Sequence, residues 1–212
     1  CNIIDESCMK RQIPLHELSA LFAGTVFSAV MDFDSPPSYE VLEREVDFVS
    51  LKNLLGLGRR LLPADRRIFN NVVLKKIISL KIVWAARSEA YYGSASDFRQ
   101  FDPADVFGGS TVTSADIEAV EAEIRKSIKT GYQAPGAHVK KDDAPGMELF
   151  LDRLFVSHIK RIFSGDFHGI CPVISYAWLL YYQIRNLFTV IEGRFLKVDP
   201  ETIMRRVVTG IV

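Results

Sequence analysis

The sequence predicts an all-α fold, and three observations predict it. Apolar residues recur at steps of three and four along most of the chain. Proline, glycine and small polar residues fall where helices start and stop. Alternation of apolar and polar residues, which a half-buried strand needs, is almost absent. With 212 residues the chain is long enough to bury a proper core.

Pro14 to Met31 reads as a helix, with Leu15, Leu18, Phe22, Val26 and Val30 on one face. The prolines Pro36 and Pro37 break it, because they remove donors and push the preceding residues extended. Asp32 and Asp34 sit in this linker without a third acid at metal-ligand spacing, so a helix-exit turn explains them better than a cation site. Ser38 to Leu62 is the next helix, with Phe48, Leu51, Leu55 and Leu62 inward. Gly56 and Gly58 weaken its later half. The GLGRR run there lacks both the spacing of a phosphate loop and a preceding strand, and close helix packing is the better account.

Pro63 starts a long helix that runs to Tyr92 and stops at Gly93. Its stripe is Phe69, Val73, Ile77, Leu80, Trp84 and Tyr91, widened by Ile78, Ile82 and Val83. Ser94 to Gly109 is irregular. Thr113 to Thr130 is amphipathic, with a cap at Thr113 or Ser114, acids early, Arg125, Lys126 and Lys129 late, and a narrow stripe of Ile117, Val120, Ile124 and Ile128. Gly131 to Gly146 has no period and is expected to be a mobile loop. Met147 to Phe163 is helical.

The most apolar stretch follows, from Gly169 to Val198, with Pro172 suited to its first turn. Almost every residue from Ile170 to Ile184 is apolar, so this helix is expected to be surrounded by protein on all sides, with Val173, Ala177, Leu180, Ile184, Leu187, Ile191 and Phe195 as its core stripe. Gln183, Arg185, Asn186, Glu192 and Arg194 arrive too early for a membrane span. Asp199, Pro200 and Glu201 open a short last helix with Ile203 and Val207 inward. The chain thus divides into an N-terminal helical segment and linker (1–37), a first helical repeat (38–112), an amphipathic helix and loop (113–146) and a second repeat (147–212).

Lys plus Arg and Asp plus Glu are 26 each, which argues against a dedicated nucleic-acid binder or a polybasic anchor. The balance is uneven locally: Leu51 to Gly93 holds nine basic residues against Asp65 and Glu89, whereas Ser94 to Asp152 is net acidic. A solvated face explains the basic run, and a docking surface for an acidic partner is the sharper reading. Cys1, Cys8 and Cys171 are odd in number, with no metal-ligand spacing, which points to a reducing compartment and away from a disulfide scaffold or zinc site. The chain begins at Cys1 without an initiator methionine, so a segment upstream is expected to have been removed, cleaved or not included, with a lipid-modified first cysteine of an exported protein as the lesser alternative.

No catalytic or metal constellation emerges. His16, His138, His158 and His168 are scattered, His16 and Glu17 lack the continuation of a zinc-protease helix, and Ser7 and Cys8 lack an adjacent base. Arg185 and Asn186 stand out as polar residues on the most apolar helix. Either the helix leaves the core there or they hydrogen-bond the end of a neighbouring helix.

The two halves also look alike. In each, a moderate helix precedes a long apolar one, and a polar residue (Lys81, Asn186) precedes an apolar one (Ile82, Leu187) at the point of change. The segment PVISYAWLLYYQIRNLFTVIEGRFLKVDPETIMRRVV resembles the C-terminal repeat of the C-type central-stalk component of A/V-type ATPases, the homologue of the d-type component of the vacuolar enzyme. Tyr176-Ala177, Ile184-Arg185-Asn186-Leu187, Gly193-Arg194 and Pro200-Glu201-Thr202-Ile203 carry the likeness, and Gln183 stands where the family has Glu. LKKIISLKIVWAARSEAYYG is similar to an earlier repeat of the same family, with Lys81 at an Asn position and Arg87 at the closing Arg.

The resemblance implies repeated helical lobes with pseudo-rotational symmetry, funnel-like, one lobe short of the usual three. It implies a coupling subunit with no active site and no cofactor, peripheral on the cytoplasmic face of the membrane. Its partners would be the central-stalk subunits and the membrane rotor ring of a proton- or sodium-moving rotary ATPase, with no nucleic acid and membrane contact only through the ring. Arg59, Arg60, Arg66, Arg67, Lys75 and Lys76 are then the candidates for an acidic stalk or ring contact. The competing readings are a generic helical adaptor without a membrane partner and, less favoured, a helical enzyme.

Overall fold

Thirty residues from Pro63 to Tyr92 form the helix around which the larger part of the protein is built. In the computed structural model, residues 22, 24–25, 27–28, 39–92, 112–132, 143–165 and 169–208 are described. They contain six α-helices and no strand: α1 (Tyr39–Gly58), α2 (Pro63–Tyr92), α3 (Ser114–Ser127), α4 (Ala144–Gly165), α5 (Cys171–Phe195) and α6 (Pro200–Arg206). The chain separates into two compact units, residues 1–56 and 57–212.

Most of α1 lies in the first unit. Leu51 and Leu55 are buried on it as the periodicity requires, and the Ser50 hydroxyl donates to the Val46 carbonyl one turn back. The helix stops at Gly58 rather than Leu62, and Leu62 is exposed, not inward. Gly56 and Gly58 favour the early stop, since glycine is a poor helix residue. Of the helix expected over Pro14 to Met31 only positions 22, 24–25 and 27–28 are described; they form turns, with Gly24 at φ 77°. The linker with Asp32 and Asp34, the 93–111 segment and most of the 131–146 loop lie outside the described residues.

In the second unit α4 packs against α2 and α5, α3 lies across α2, and α6 folds back on α5. The core brings together Val72 of α2, Phe155, Val156 and Ile159 of α4, Leu179 and Tyr182 of α5, and Val208 beyond α6. Trp178 meets Phe155 edge to face, ring centres 5.1 Å apart. Each such buried side chain contributes about 1.5–3 kcal/mol over its exposed state.

Helix ends follow local chemistry. Thr113 caps α3 in a reciprocal box: its hydroxyl accepts from the Asp116 amide and the Asp116 carboxylate accepts from the Thr113 amide. All four residues of the narrow α3 stripe are buried, and the helix leaves through one π-type turn, Ile128–Tyr132. α4 begins at Ala144, three residues before the predicted start, because the Asp143 carboxylate accepts from the Gly146 amide. It also runs to Gly165, past the expected end at Phe163. At the far end of α5 the Val198 amide donates to Gly193 and the Lys197 amide to Arg194, with Lys197 left-handed at φ 55°. That pair is a Schellman cap with lysine in the position glycine usually takes.

α5 overturns the largest sequence expectation. It is not covered on every side, and its predicted core stripe faces out: Val173 is 64% exposed, Leu187 59% and Phe195 84%. The row that points inward is Cys171, Ser175, Leu179, Tyr182, Asn186, Thr189 and Gly193, most of them buried or half-buried. Two physical reasons select it. Its polar members find partners inside the unit, and its small members let neighbours approach: a Cβ on Gly193 would stand 2.6 Å from Cγ1 of Ile203 on α6. Ile203 is buried as expected, but Val208 rather than Val207 enters the core.

Candidate functional site

A chain of ion pairs joins α2, α4 and α5 in the middle of the second unit. Asp152, on the inner face of α4, is 3% exposed and receives partners from two helices. Its Oδ1 accepts from Lys76 Nζ of α2 at 3.1 Å and from the Tyr182 hydroxyl of α5 at 2.6 Å. Its Oδ2 accepts from Arg185 Nη1, also of α5. Arg185 Nη2 continues to Glu148 Oε1 at 2.9 Å, and Glu148 Oε2 accepts from Arg87 Nη2 of α2 at 2.6 Å. Lys76 also donates to the Tyr182 hydroxyl at 3.0 Å and lies 5.5 Å from the ring centres of both Phe155 and Tyr182.

The electrostatics follow from this geometry. Burial pushes the Asp152 carboxyl up, but the Lys76 ammonium and the Arg185 guanidinium, with the Tyr182 and Lys76 hydrogen bonds, outweigh it and hold the group below its ordinary value. Burial and the adjacent Asp152 charge both raise the Tyr182 phenol, which therefore stays protonated as a donor. Burial disfavours the Arg185 charge, and Asp152 and Glu148 more than restore it. Every charge in the node is thus compensated by a hydrogen-bonded opposite, the condition under which buried ions are tolerated.

Around this node the other candidates separate by role. Asn186 hydrogen-bonds the backbone of Val208 past the end of α6, and Arg153 of α4 donates to the carbonyls of Arg205 and Val207, so the last segment is held from two helices. Arg66 closes the turn between α1 and α2, donating from Nη2 to Arg59 O at 2.6 Å and Leu61 O at 2.9 Å. Lys75 pairs with Glu123 of α3 at 2.9 Å and approaches His158 Nδ1 at 3.4 Å. Burial, then Lys75 and Arg161, lower the His158 imidazole to about 4 against a smaller opposing pull from Glu123.

The six basic candidates therefore do not form one rim. Arg59, Arg60 and Arg67 are exposed. Arg66, Lys75 and Lys76 are engaged within the unit, and the side chains of the two lysines are only 12% and 13% exposed. Arg67 borders a groove of about 830 Å³ whose lining includes Pro63, Ile68, Leu74, Asp116 and His158. Sequence reasoning singled out Arg185 and Asn186 and missed Glu148 and Asp152. Their signal was legible: two acids one turn apart on an otherwise apolar helix face, MELFLDRLF, are too costly to bury without cations. Among the described residues no group of three His, Cys, Asp or Glu is placed to hold a metal ion, and no helix is long and apolar enough to cross a membrane.

Compared with known families, residues 15–206 match the ATP synthase (C/AC39) subunit family. The chain belongs to that family. The C/AC39 proteins are components of rotary V/A-type ATPases, so the partners of this chain lie in such a complex. No curated protein and no solved structure matches the chain. In this C/AC39 protein each member of the polar node is hydrogen-bonded to another.

Proposed function

We propose that the chain is the non-catalytic coupling subunit of a rotary A/V-type ATPase, joining the soluble central stalk to the membrane rotor ring for proton or sodium transport. The family match over residues 15–206 carries this reading. A coupler must pass torque without yielding, and the Asp152 node supports that requirement by tying three long helices together through charge-assisted bonds. On this reading the protein is peripheral on the cytoplasmic side, the helix pairs within 38–112 and 147–212 are two copies of one lobe, 113–146 joins them and 1–37 is an N-terminal segment ahead of the first.

Arg59, Arg60 and Arg67, exposed beside the turn between α1 and α2, are the contacts for an acidic stalk or ring surface. Charge of this kind sets register and encounter rate more than affinity. Co-purification of the tagged chain with stalk and ring subunits tests the role. Stalk and ring subunits should be recovered with the wild-type chain, and less of them with the Arg59→Glu, Arg60→Glu, Arg67→Glu variant. Undiminished recovery with the variant removes the arginines from the interface; recovery of no rotary subunit by the wild-type chain removes the coupling role.

A further inference from the structure

The groove beside Arg67 lies between three helices of the second unit. Ala64, Arg67, Asn71 and Leu74 recur at steps of three and four and put one face of α2 on it, the start of α3 contributes Asp116, and α4 contributes His158 and Ile162. From Pro63 to Leu74 the α2 wall runs roughly 17 Å at 1.5 Å per residue. The volume of about 830 Å³ falls within the roughly 300–1,000 Å³ of clefts that hold ligands. Pro63, Ala64, Arg67 and Asn71 are exposed along the wall, and Leu62, next to Pro63, is 73% exposed. Among the described residues the walls are helical and offer an extended chain no strand edge to pair with. An amphipathic helix of about three turns matches the length and lays its apolar row into such a groove.

Charge gives the rest of the occupant. Over the wall segments 63–74, 112–116 and 158–162 the cations are Arg66, Arg67, Lys160 and Arg161, and the acids are Asp65 and Asp116. Both acids already serve internal donors. Asp65 Oδ1 accepts from the Cys171 thiol at 3.7 Å, and the Asp116 carboxylate accepts from the Thr113 amide at 2.9 Å and the Thr113 hydroxyl at 2.7 Å, at the positive end of α3. Arg67 on α2 and Arg161 on α4 are exposed, as are Arg59 and Arg60 in the turn before Pro63. His158, with its imidazole lowered to about 4, adds no charge at neutral pH. A cationic rim beside an apolar floor complements acids that flank an apolar row.

We propose that this groove docks an acidic amphipathic helix of a partner protein, with the apolar row of that helix against Ile68 and Ile162 and one of its carboxylates on Arg67. The inference rests on the reading of Arg67 as a contact for an acidic partner and adds the form of the element that meets it.

Methyl NMR of the full chain tests the contact. The chain is titrated with a designed amphipathic helix of about four turns, leucine on one face and glutamate on either side of it, and with the same helix carrying lysine in place of glutamate. The Ile68 and Ile162 methyl signals should shift before those of Ile184 and Ile191 on the oily face of α5, and the acidic helix should bind at least about 10-fold more tightly than the basic one. Arg67→Glu should remove that preference. Asn71→Trp, which fills the groove from an exposed position, should abolish the Ile68 shift, and undisturbed Ile184 and Ile191 signals in the free variants show that both are folded. Equal affinity for the two helices, first shifts at the α5 isoleucines, or an Arg67→Glu chain that keeps the preference overturns the proposal. So does binding of neither helix, as expected of a groove that takes a small molecule. The titration contains no rotary subunit, so its failure leaves the coupling role standing, whereas failed co-purification removes that role without touching the groove.

Discussion

Asn186 and Val208 exchange two hydrogen bonds: the side-chain Nδ2 donates to the Val208 carbonyl and Oδ1 accepts from the Val208 amide, both at 2.9 Å. A side-chain amide here copies the pairing that one strand offers another, on a segment with no sheet to join. Asn186→Leu keeps the size and leaves the Val208 amide and carbonyl unpaired. It should cost about 2–3 kcal/mol, read from the urea midpoint at constant slope. Loss of exchange protection at the Val208 amide should accompany it, and protection that survives would show that the segment is held by other means.

Asp152 compensates two cations at once, so Asp152→Asn should be the most damaging single isostere in the second unit. Leaving Lys76 without its anion and Arg185 with Glu148 alone costs about 3–5 kcal/mol, whereas Tyr182→Phe, which removes one neutral donor, should cost about 1–2 kcal/mol. The pH dependence has a definite sign. The folded carboxyl lies below its ordinary value of 3.8, so its contribution is complete above that value and is lost as pH falls through the lower folded one. Acid unfolding of Asp152→Asn should therefore be shallower below pH 3.8 than that of the wild type; parallel curves would remove Asp152 from the acid transition.

His158 acts higher on the pH scale. Folding lowers its imidazole from 6.5 to about 4, so the unfolded chain takes up the proton first. Stability is complete above 6.5 and declines as pH drops toward 4. Lys75 and Arg161 oppose protonation and Glu123 favours it. Urea titrations at neutral and mildly acidic pH should show that His158→Gln flattens this decline, and an unchanged slope would assign it to other groups.

Lys197 occupies the left-handed position of the Schellman cap at φ 55°. Glycine adopts that conformation without the steric penalty on its Cβ, so Lys197→Gly should stabilise the protein by about 0.5–1 kcal/mol. Calorimetry would show a raised Tm; a lowered one would mean that the lysine side chain contributes more than its backbone costs.

Most helices were legible because their signals are local. Pro63 at the start of α2, the Thr113 box before α3 and Asp199 before α6 each fix an end through nearby chain chemistry, and the structure places them where the sequence does. The facing of α5 was not legible, because it depends on what the polar atoms of other helices demand. Tyr182 and Asn186 turn inward to satisfy Asp152 and Val208, and the oily row goes outward as a consequence. Hydropathy ranks residues by cost of exposure and carries no record of a distant carboxylate. The same blindness placed Lys75 and Lys76 with the surface arginines, although the acids that hold them, Glu123 and Asp152, come 48 and 76 residues later.

The meeting of α2 and α5 on one carboxylate has a mechanical consequence. A twist applied to α5 reaches α2 through Arg185, Asp152 and Lys76 without passing along any connecting turn. These links are short and ionic and meet on a buried carboxylate, so the helices share the load as members of a braced truss.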